Sequence, residues 1–306
     1  MNTLLFKYIL EVEKCRSISQ AAENLFMAQP NLSKAIREVE ETLGFAVFRR
    51  TPKGVVPTPQ GQEFLAVARN IVSELERIES IAGGGDRPRP SLRISIPRAS
   101  YIADAFARLA QAADPEGALE LQVQETSAVQ TITAITGGLC SLGVIRYRPE
   151  HERYFFDFLA DKGLAHDVVW EDDFLLLLSG RHPLAATREV HLASLAPYTE
   201  IVHGDESVPY LTSERPLPPT GSRRFISLCD RANQFELLTQ LDSAYMWVSP
   251  IPAALLDRCG LVQRRCVDST SRFRDELIYP KGYAFTAMER AFIDRLYEAR
   301  NAVAYG

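Results

Sequence analysis

Apolar residues recur every three or four positions through the first 82 residues, which is the period of helices that are buried on one face. The pattern predicts four helices, over residues 3–14, 20–25, 30–43 and 59–82. Ser17 or Ser19 supplies an N-cap oxygen for the short second helix, and Gly44 predicts the end of the third.

The second and third helices have the layout of a helix-turn-helix, because both are short, a tight turn joins them, and the third is polar along its first turns. We expect this polar end to enter a major groove of double-stranded DNA. Its candidate DNA-binding residues are Gln29, Pro30, Asn31, Ser33, Lys34 and Arg37.

A basic loop follows the third helix. Short β-prone runs at 46–48 and 55–56 flank it, which is typical of a winged hairpin. Its cations Arg49, Arg50 and Lys53 suit contacts to phosphates or to the minor groove, and they complete the predicted DNA-binding set.

The fourth predicted helix carries an apolar stripe over more than five turns, at Leu65, Ala68, Val72, Leu75, Ile78 and Ala82. Such a stripe packs either on its own domain or on a partner. The helix is long and exits into a glycine-rich linker beginning at Gly83, which favours pairing with the same helix of a second subunit.

Strands and helices alternate after the linker, which indicates βαβ units and a mainly parallel sheet. The pattern predicts strands at 92–96, 119–123, 142–145, 168–170, 174–179, 198–202 and 245–248, and helices at 101–112, 129–136 and 232–241. Two α/β lobes of this kind enclose a cleft, and ligands bind beyond the carboxyl ends of the strands.

Five residues lie where the predicted strands end at this cleft: Ser100, Thr126, Ser127, Arg146 and His203. Two roles are open for Arg146. Its guanidinium suits bidentate pairing with a ligand carboxylate, and it equally suits a structural salt bridge with an acid such as Glu125.

Composition is that of an ordinary globular chain, with 46% hydrophobic and 24% charged residues, and 306 residues suffice for two or three packed units. Residues 83–306 carry the whole net charge of −5, since residues 1–82 hold ten Lys or Arg against ten Asp or Glu. We expect a cytoplasmic location and no membrane contact, because no signal peptide and no apolar run of about 18 residues occurs.

Five motifs in the first 61 residues closely resemble those of the LysR-type transcriptional regulators. They are Ser19-Gln-Ala-Ala-Glu-Asn-Leu25, Ala28-Gln-Pro-Asn-Leu-Ser-Lys-Ala-Ile36, Val39-Glu-Glu-Thr-Leu-Gly44, Val47-Phe-Arg-Arg50 and Thr58-Pro-Gln-Gly61. The likeness continues at Ile96-Pro-Arg-Ala-Ser-Tyr101, Leu142-Gly-Val-Ile-Arg146, His182-Pro-Leu-Ala185 and residues 275–283. Two positions depart from the family pattern: Arg16 precedes Ser17 in place of a small residue, and Ala28 stands where the family usually has serine.

The resemblance implies a transcription regulator that binds promoter DNA of dyad symmetry as a homodimer or homotetramer and senses a small-molecule effector, with a carboxylate suggested by Arg146. It implies a winged helix-turn-helix (1–58), a linker helix (59–82), a hinge (83–91) and a regulatory domain of periplasmic-binding-protein-like architecture (92–306). We expect that domain's two lobes at 92–162 with 268–306, and at 163–267.

Three other functions compete with this interpretation. Some relatives switch by forming a disulfide, so Cys229, Cys259 and Cys266 are candidates for a redox switch, although buried inert thiols are commoner. An enzyme is disfavoured, because no GxSxG, GxGxxG, P-loop or HExxH motif occurs, and we expect no catalytic residue, metal or cofactor. A periplasmic solute-binding protein would share the two lobes but lack the DNA-binding segment.

Overall fold

A computed structural model describes residues 3–52, 54–82, 90–114, 117–203, 224–228 and 234–304. Contacts within the chain divide it into two compact units, Met1–Pro90 with Thr133–Ser141, and Ser91–Ile132 with Leu142–Gly306. Most of the predicted linker (83–89), together with Lys53 and Cys229, lies outside the described residues. Within the described residues, no helix is long and apolar enough to cross a lipid bilayer.

The amino-terminal unit begins with the four predicted helices and a two-stranded sheet. These elements are α1 (Thr3–Cys15), α2 (Ile18–Asn24), α3 (Gln29–Leu43), β1 (Phe48–Thr51), β2 (Gly54–Pro57) and α4 (Pro59–Ala82). The two strands pair antiparallel, with Arg49 opposite Val56. The structure therefore has both the helix-turn-helix and the wing hairpin, and the ends of the two strands lie one to three residues from their predicted positions.

Local hydrogen bonds set the ends of these helices. The Ser17 side chain accepts from a backbone N–H of the first turn of α2, so Ser17 rather than Ser19 is its cap. Gly44 ends α3 in the left-handed conformation, with φ of 76°. Thr58 caps α4 by accepting from the Gly61 N–H at 2.9 Å. Only glycine fits at position 61, because a Cβ there would lie 2.0 Å from a carbonyl oxygen of the wing.

A small core holds α1, α2 and α3 together. Its buried residues are Ile9, Val12, Ala21, Ala22, Leu32, Ile36, Val39, Val47 and Leu65. Burying such side chains removes apolar surface from water, which stabilises the fold by roughly 25 cal/mol for each Å². The apolar face of α3 is thereby committed to the core, so its polar face is left for solvent or a ligand.

The apolar stripe of α4 lies in more than one environment. Leu65 and Ala68 are completely buried, and Leu65 belongs to the core of its own unit. Val72 and Leu75 are half-buried, and the last two stripe positions lie outside the described side chains. The first turns of the stripe therefore pack on their own domain, and pairing with a second subunit stays a prediction for the later turns.

The second unit contains two five-stranded sheets. Its strands are β3 (Ser91–Ile96), β4 (Glu120–Glu125), β5 (Leu142–Tyr147), β6 (Leu164–Asp173), β7 (Leu175–Ser179), β8 (Thr199–His203), β9 (Phe225–Leu228), β10 (Ala244–Val248), β11 (Leu261–Arg264) and β12 (Arg272–Pro280). The strand orders are β4-β3-β5-β12-β6 and β11-β7-β10-β8-β9.

Each sheet is mixed, not mainly parallel as predicted. In the first sheet β3 runs parallel to β4 and β5, whereas β12 is antiparallel to β5 and β6. In the second sheet β8 runs parallel to β9 and β10, whereas β7 is antiparallel to β10 and β11. The predicted ligand residues lie at the carboxyl ends of parallel strands, namely β3, β4 and β5 of the first sheet and β8 of the second.

Two helices cover the first sheet, the one that follows β3 and the last helix of the chain. The helices of this part of the chain are α5 (Ser100–Gln111), α6 (Ala128–Thr136), α7 (Glu152–Asp161), α8 (Leu192–Leu195), α9 (Gln234–Gln240), α10 (Ala253–Cys259) and α11 (Ala287–Ala304). Tyr101 and Ile102 of α5 and Phe292 and Leu296 of α11 are buried in one core against this sheet.

Several of these elements were not predicted, namely α7, α8, α10, α11, β9, β11 and β12. The strand β12 shows why, because Arg274, Asp275 and Glu276 follow one another in it. A run of charges argues against a central strand. Here Arg146 of β5 pairs with Asp275 and Arg274 pairs with Glu276 within β12, and both acids are completely buried.

Candidate functional site

The start of α3 presents most of the predicted DNA-binding residues to solvent. Gln29, Pro30, Asn31, Lys34 and Arg37 are exposed and Ser33 is half-buried. Proline occupies the second helical position, not the first as expected, because the helix begins one residue earlier. The exposed residues lie opposite the buried stripe of the same helix, so they form one polar surface of the amino-terminal unit.

The amino terminus of α3 has no side-chain cap. Ala28 is the N-cap residue and makes no capping hydrogen bond, as its methyl group requires. Gln29 does not replace that bond, because its side-chain amide donates to the Ser33 hydroxyl at 3.0 Å. No acidic residue lies in the first turn. The backbone N–H groups and the positive end of the helix dipole are therefore open to an anion such as a phosphate.

The wing adds positive charge to the same unit. Arg49 and Arg50 of β1 are exposed, and the Thr51 hydroxyl donates to the Gly54 carbonyl at 2.8 Å and closes the hairpin. In the part of the chain that the structure describes, neither arginine forms an ion pair, and the same holds for Lys34. Their cations are thus available to DNA phosphates, whereas Lys53 lies outside the described residues.

Glu40 attaches the wing to α3. One oxygen of its carboxylate accepts hydrogen bonds from the backbone N–H groups of Val47 and Phe48, at 2.8 and 3.1 Å. Val47 is completely buried. No sequence signal marked Glu40, because a glutamate within a helix does not reveal what its side chain reaches seven or eight residues later.

A cavity of about 410 Å³ lies within the second unit. The structure brings all five predicted ligand residues to its wall: Ser100, Thr126, Ser127, Arg146 and His203. They come from the carboxyl ends of β3, β4, β5 and β8, as the rule for parallel strands predicted. The amino termini of α5 and α6 reach the wall at Ser100 and Ala128, and neither first turn contains an acid.

Arg146 is held by a carboxylate of the protein. Its Nε and Nη2 donate to the two oxygens of Asp275 at 2.7 and 2.6 Å, and Nη1 donates to the Ser249 hydroxyl at 2.9 Å. The Arg146 guanidinium also lies 4.3 Å from the centre of the Phe273 ring. Of the two roles left open by the sequence, the geometry provides the structural salt bridge, with Asp275 as its acid.

A buried tyrosine completes this network. The Tyr101 hydroxyl donates to Asp275 at 2.6 Å. Burial, together with the negative charge of Asp275, raises the pKa of Tyr101 well above its usual value, so the hydroxyl remains a donor. Asp275 therefore receives three hydrogen bonds while it is completely buried, which is the condition under which a buried carboxylate is tolerated.

Two cavity residues that the sequence did not single out have buried polar atoms for which the described residues supply no hydrogen-bond partner. They are Oε1 of Gln234, whose side chain is 3% exposed, and Nε1 of Trp247. An unsatisfied buried polar atom costs free energy, so both atoms favour a ligand that supplies a donor and an acceptor. No sequence signal marks them, because neither belongs to a motif.

The structure separates two of the candidate redox cysteines. Cys259 packs against the core on one side of the second sheet, whereas Cys266 is buried in the core on the other side. Burial and the neighbouring Asp268 carboxylate raise the pKa of Cys266 to about 11. Cys229 lies outside the described residues. Among the residues that are described, no group of three or more His, Cys, Asp or Glu is arranged to hold a metal ion.

Two family models match the chain in succession. Residues 4–62 match the bacterial regulatory helix-turn-helix protein, lysR family, and residues 85–301 match the LysR substrate binding domain. The chain is similar to the HTH-type transcriptional regulator CysB of Haemophilus influenzae, with 26% identity over 202 residues, or 64% of this chain and 59% of that protein. The match thus spans about three fifths of this curated relative's length.

Two solved structures share the fold along almost the whole chain. ArgP from Mycobacterium tuberculosis superposes with a TM-score of 0.66 at 15% identity, covering 98% of this chain and 97% of that one. A full-length OxyR variant from Pseudomonas aeruginosa superposes with a TM-score of 0.64 at 15% identity, covering 99% and 96%. Because the two family models together match most of the chain, it belongs to the LysR family of DNA-binding transcriptional regulators with an effector-binding domain.

Proposed function

We propose that this regulator binds promoter DNA of dyad symmetry as a homodimer or homotetramer, and that a small polar effector in the cavity of the second unit changes its affinity for that DNA. The observation that carries the proposal is the convergence of Ser100, Thr126, Ser127, Arg146 and His203 on one cavity. We place the protein in the cytoplasm, away from membranes, and assign it no catalytic activity and no cofactor.

The proposal keeps the domain boundaries expected from the sequence. Residues 1–58 bind DNA, 59–82 form the linker and dimerisation helix, 83–91 are the hinge, and 92–306 sense the effector. Its two lobes are 92–162 with 268–306, and 163–267.

The charge and exposure of the amino-terminal unit support DNA binding by the predicted residues. Lys34 and Arg37 on α3 and Arg49 and Arg50 on the wing are exposed cations, and the helix terminus beside them has no cap and no acid. Phosphate contacts from such groups supply affinity, whereas the polar side chains of the first turns read base edges.

The polarity of the cavity supports an effector that carries both an anionic group and a hydrogen-bond donor. Helix amino termini at Ser100 and Ala128 favour an anion at that end of the cavity. The unpartnered Oε1 of Gln234 favours a donor on the same ligand. A carboxylate remains the anion that we expect, and the two helix termini replace Arg146 as its main binding site, because Asp275 occupies Arg146.

DNA binding is tested by selection of duplexes from a random pool with the purified chain, followed by titration of the selected site at about 0.15 M ionic strength. We expect Lys34→Ala to weaken binding by about 10-fold or more, and Arg50→Ala to reduce the slope of log affinity against log salt by about 1. Arg153→Ala is the matched control, since this arginine is 97% exposed and lies in the second unit. The absence of any enriched sequence, with and without candidate effectors, would refute DNA binding.

Effector binding is tested by thermal unfolding of the full chain with a panel of small hydroxy and amino carboxylates and their methyl esters. A bound acid present at 100 times its Kd stabilises by about 2.7 kcal/mol, which is a Tm rise of several degrees, and its ester does not. Gln234→Leu should weaken binding of that acid about 10-fold, whereas Gln122→Leu, an exposed position on β4, should not. Equal binding of acid and ester would contradict the proposed anion site.

A further inference from the structure

Phe26, in the turn of the helix-turn-helix, has an unusual backbone conformation for its residue type. Its φ is +52°, in the left-handed region where a Cβ is disfavoured. The Phe26 N–H donates to the Glu23 carbonyl at 3.0 Å, and the Met27 N–H donates to the Ala22 carbonyl at 2.9 Å. This pair of bonds closes α2 by a Schellman motif, and phenylalanine occupies the position where glycine is usual.

Burial does not explain the phenylalanine either. Its side chain is 98% exposed, the highest value among the exposed large hydrophobic residues described. Both neighbours, Leu25 and Met27, pack against the core of the unit. The turn therefore directs the ring into solvent. This arrangement is unfavourable in two ways, because the backbone is in the left-handed region and because an apolar ring is exposed to water.

The position of Phe26 places it beside the predicted DNA-reading residues. It lies two residues before Ala28, the N-cap of α3, and the first two turns of that helix expose Gln29 and Lys34. In helix-turn-helix proteins this end of the recognition helix approaches the base edges. Apolar side chains at such a place contact the thymine C5-methyl group or the carbons of the deoxyribose.

We propose that Phe26 is a DNA-contacting residue whose ring packs against the apolar surface of the major groove rim, either a thymine methyl or a deoxyribose. The left-handed turn holds the ring outward for this contact. The inference rests on the proposed DNA-binding surface and adds to it an apolar contact beside the polar and charged ones. It accounts for a residue that is unfavourable in the free protein.

The test compares Phe26→Gly with the wild-type full chain on the selected duplex. Glycine removes the ring and also removes the left-handed strain, so the Tm of the amino-terminal unit should rise by about 4 °C while DNA affinity falls about 10-fold. The salt slope should stay unchanged, since no cation is lost. Val267→Ala, an exposed apolar position in the second unit, is the control and should alter neither quantity.

The two apolar partners on DNA are distinguished by replacing each thymine of the site with deoxyuridine, which removes only the methyl group. If a methyl is the partner, one replacement lowers the DNA affinity of the wild type several-fold and does not change that of Phe26→Gly. If deoxyribose is the partner, every replacement changes the affinity of both proteins to the same extent. Equal DNA affinity of wild type and Phe26→Gly would overturn the inference, as would a loss of affinity accompanied by a lower Tm. Failure of wild type to select any DNA would instead refute the proposed function.

Discussion

Removing Arg146 should destabilise the regulatory unit strongly. The substitution Arg146→Ala leaves the Asp275 carboxylate completely buried, with the Tyr101 hydroxyl as its remaining donor among the bonds described above. Breaking a buried ion pair from one side costs about 3–5 kcal/mol. The lost contact between the guanidinium and the Phe273 ring, at 4.3 Å, adds about 0.5–2 kcal/mol. We therefore expect a loss of about 5 kcal/mol, or a Tm lower by about 10–20 °C for a unit of this size.

A matched uncharged variant separates the cost of an unpaired charge from that of disturbed packing. Arg146→Met with Asp275→Leu removes both charges and keeps the volume, but it leaves the Tyr101 hydroxyl without its acceptor. Tyr101→Phe is therefore included. Apolar replacement of a buried ion pair is often neutral or stabilising, so the triple variant should recover most of the loss.

Tryptophan fluorescence during urea unfolding measures this effect in the right part of the molecule. The chain has two tryptophans, Trp170 and Trp247, and both lie in the second unit. Trp170 makes edge contacts with Tyr101 and Phe273 at 5.2 and 5.4 Å, so its emission reports on the network itself. A loss below 1 kcal/mol for Arg146→Ala, or a triple variant no more stable than the single one, would refute the reasoning.

Three further predictions concern other parts of the chain. Glu40→Ala should lower local stability by about 2 kcal/mol, because it removes a carboxylate that receives two backbone N–H groups, and hydrogen exchange at the Val47 amide should accelerate about 30-fold; the exposed neighbour Glu41→Ala is the control, and equal exchange in both variants would contradict this role. Burial lowers the pKa of His182 in the folded protein. Below pH about 6.5 the unfolded chain gains a proton there that the folded chain does not, so stability falls as the pH falls, by at most about 1.4 kcal/mol per pH unit. His182→Gln should remove that part of the pH dependence of the urea midpoint, and an unchanged dependence would show that the imidazole is not its source. Because burial and a neighbouring carboxylate raise the pKa of Cys266 to about 11, iodoacetamide at pH 8 should modify it far more slowly in the native protein than in urea, as peptide mapping would measure; similar rates would show an accessible thiolate.

Sequence patterns were sufficient for elements whose residues interact locally. The three-and-four spacing predicted all four helices of the amino-terminal unit, and Gly44 and Thr58 lie where the ends of helices required them. The same logic placed predicted ligand residues at strand ends, since β3, β4 and β5 were each recognisable from their own residues. The roles of the DNA-binding residues and of the effector residues stay predictions.

Local sequence patterns did not predict contacts between residues that lie far apart in the sequence. Arg146 and Asp275 are 129 positions apart, and the cross-strand register that joins them depends on β12, a strand hidden by its own charges. Glu125 was the nearer acid in sequence, and nothing local favoured Asp275 over it. The cavity atoms of Gln234 and Trp247 likewise became visible only when their surroundings left them without partners.

The amino-acid sequence by itself determined that this chain is a winged helix-turn-helix regulator with an α/β sensing domain, because periodicity, caps and family motifs are all properties of neighbouring residues. Only the tertiary structure decided which buried charges neutralise each other, which polar atoms of the cavity still lack a partner, and that Phe26 points into solvent from a strained turn. Those outcomes depend on desolvation, and the solvent exposure of a group is set by every element that packs around it.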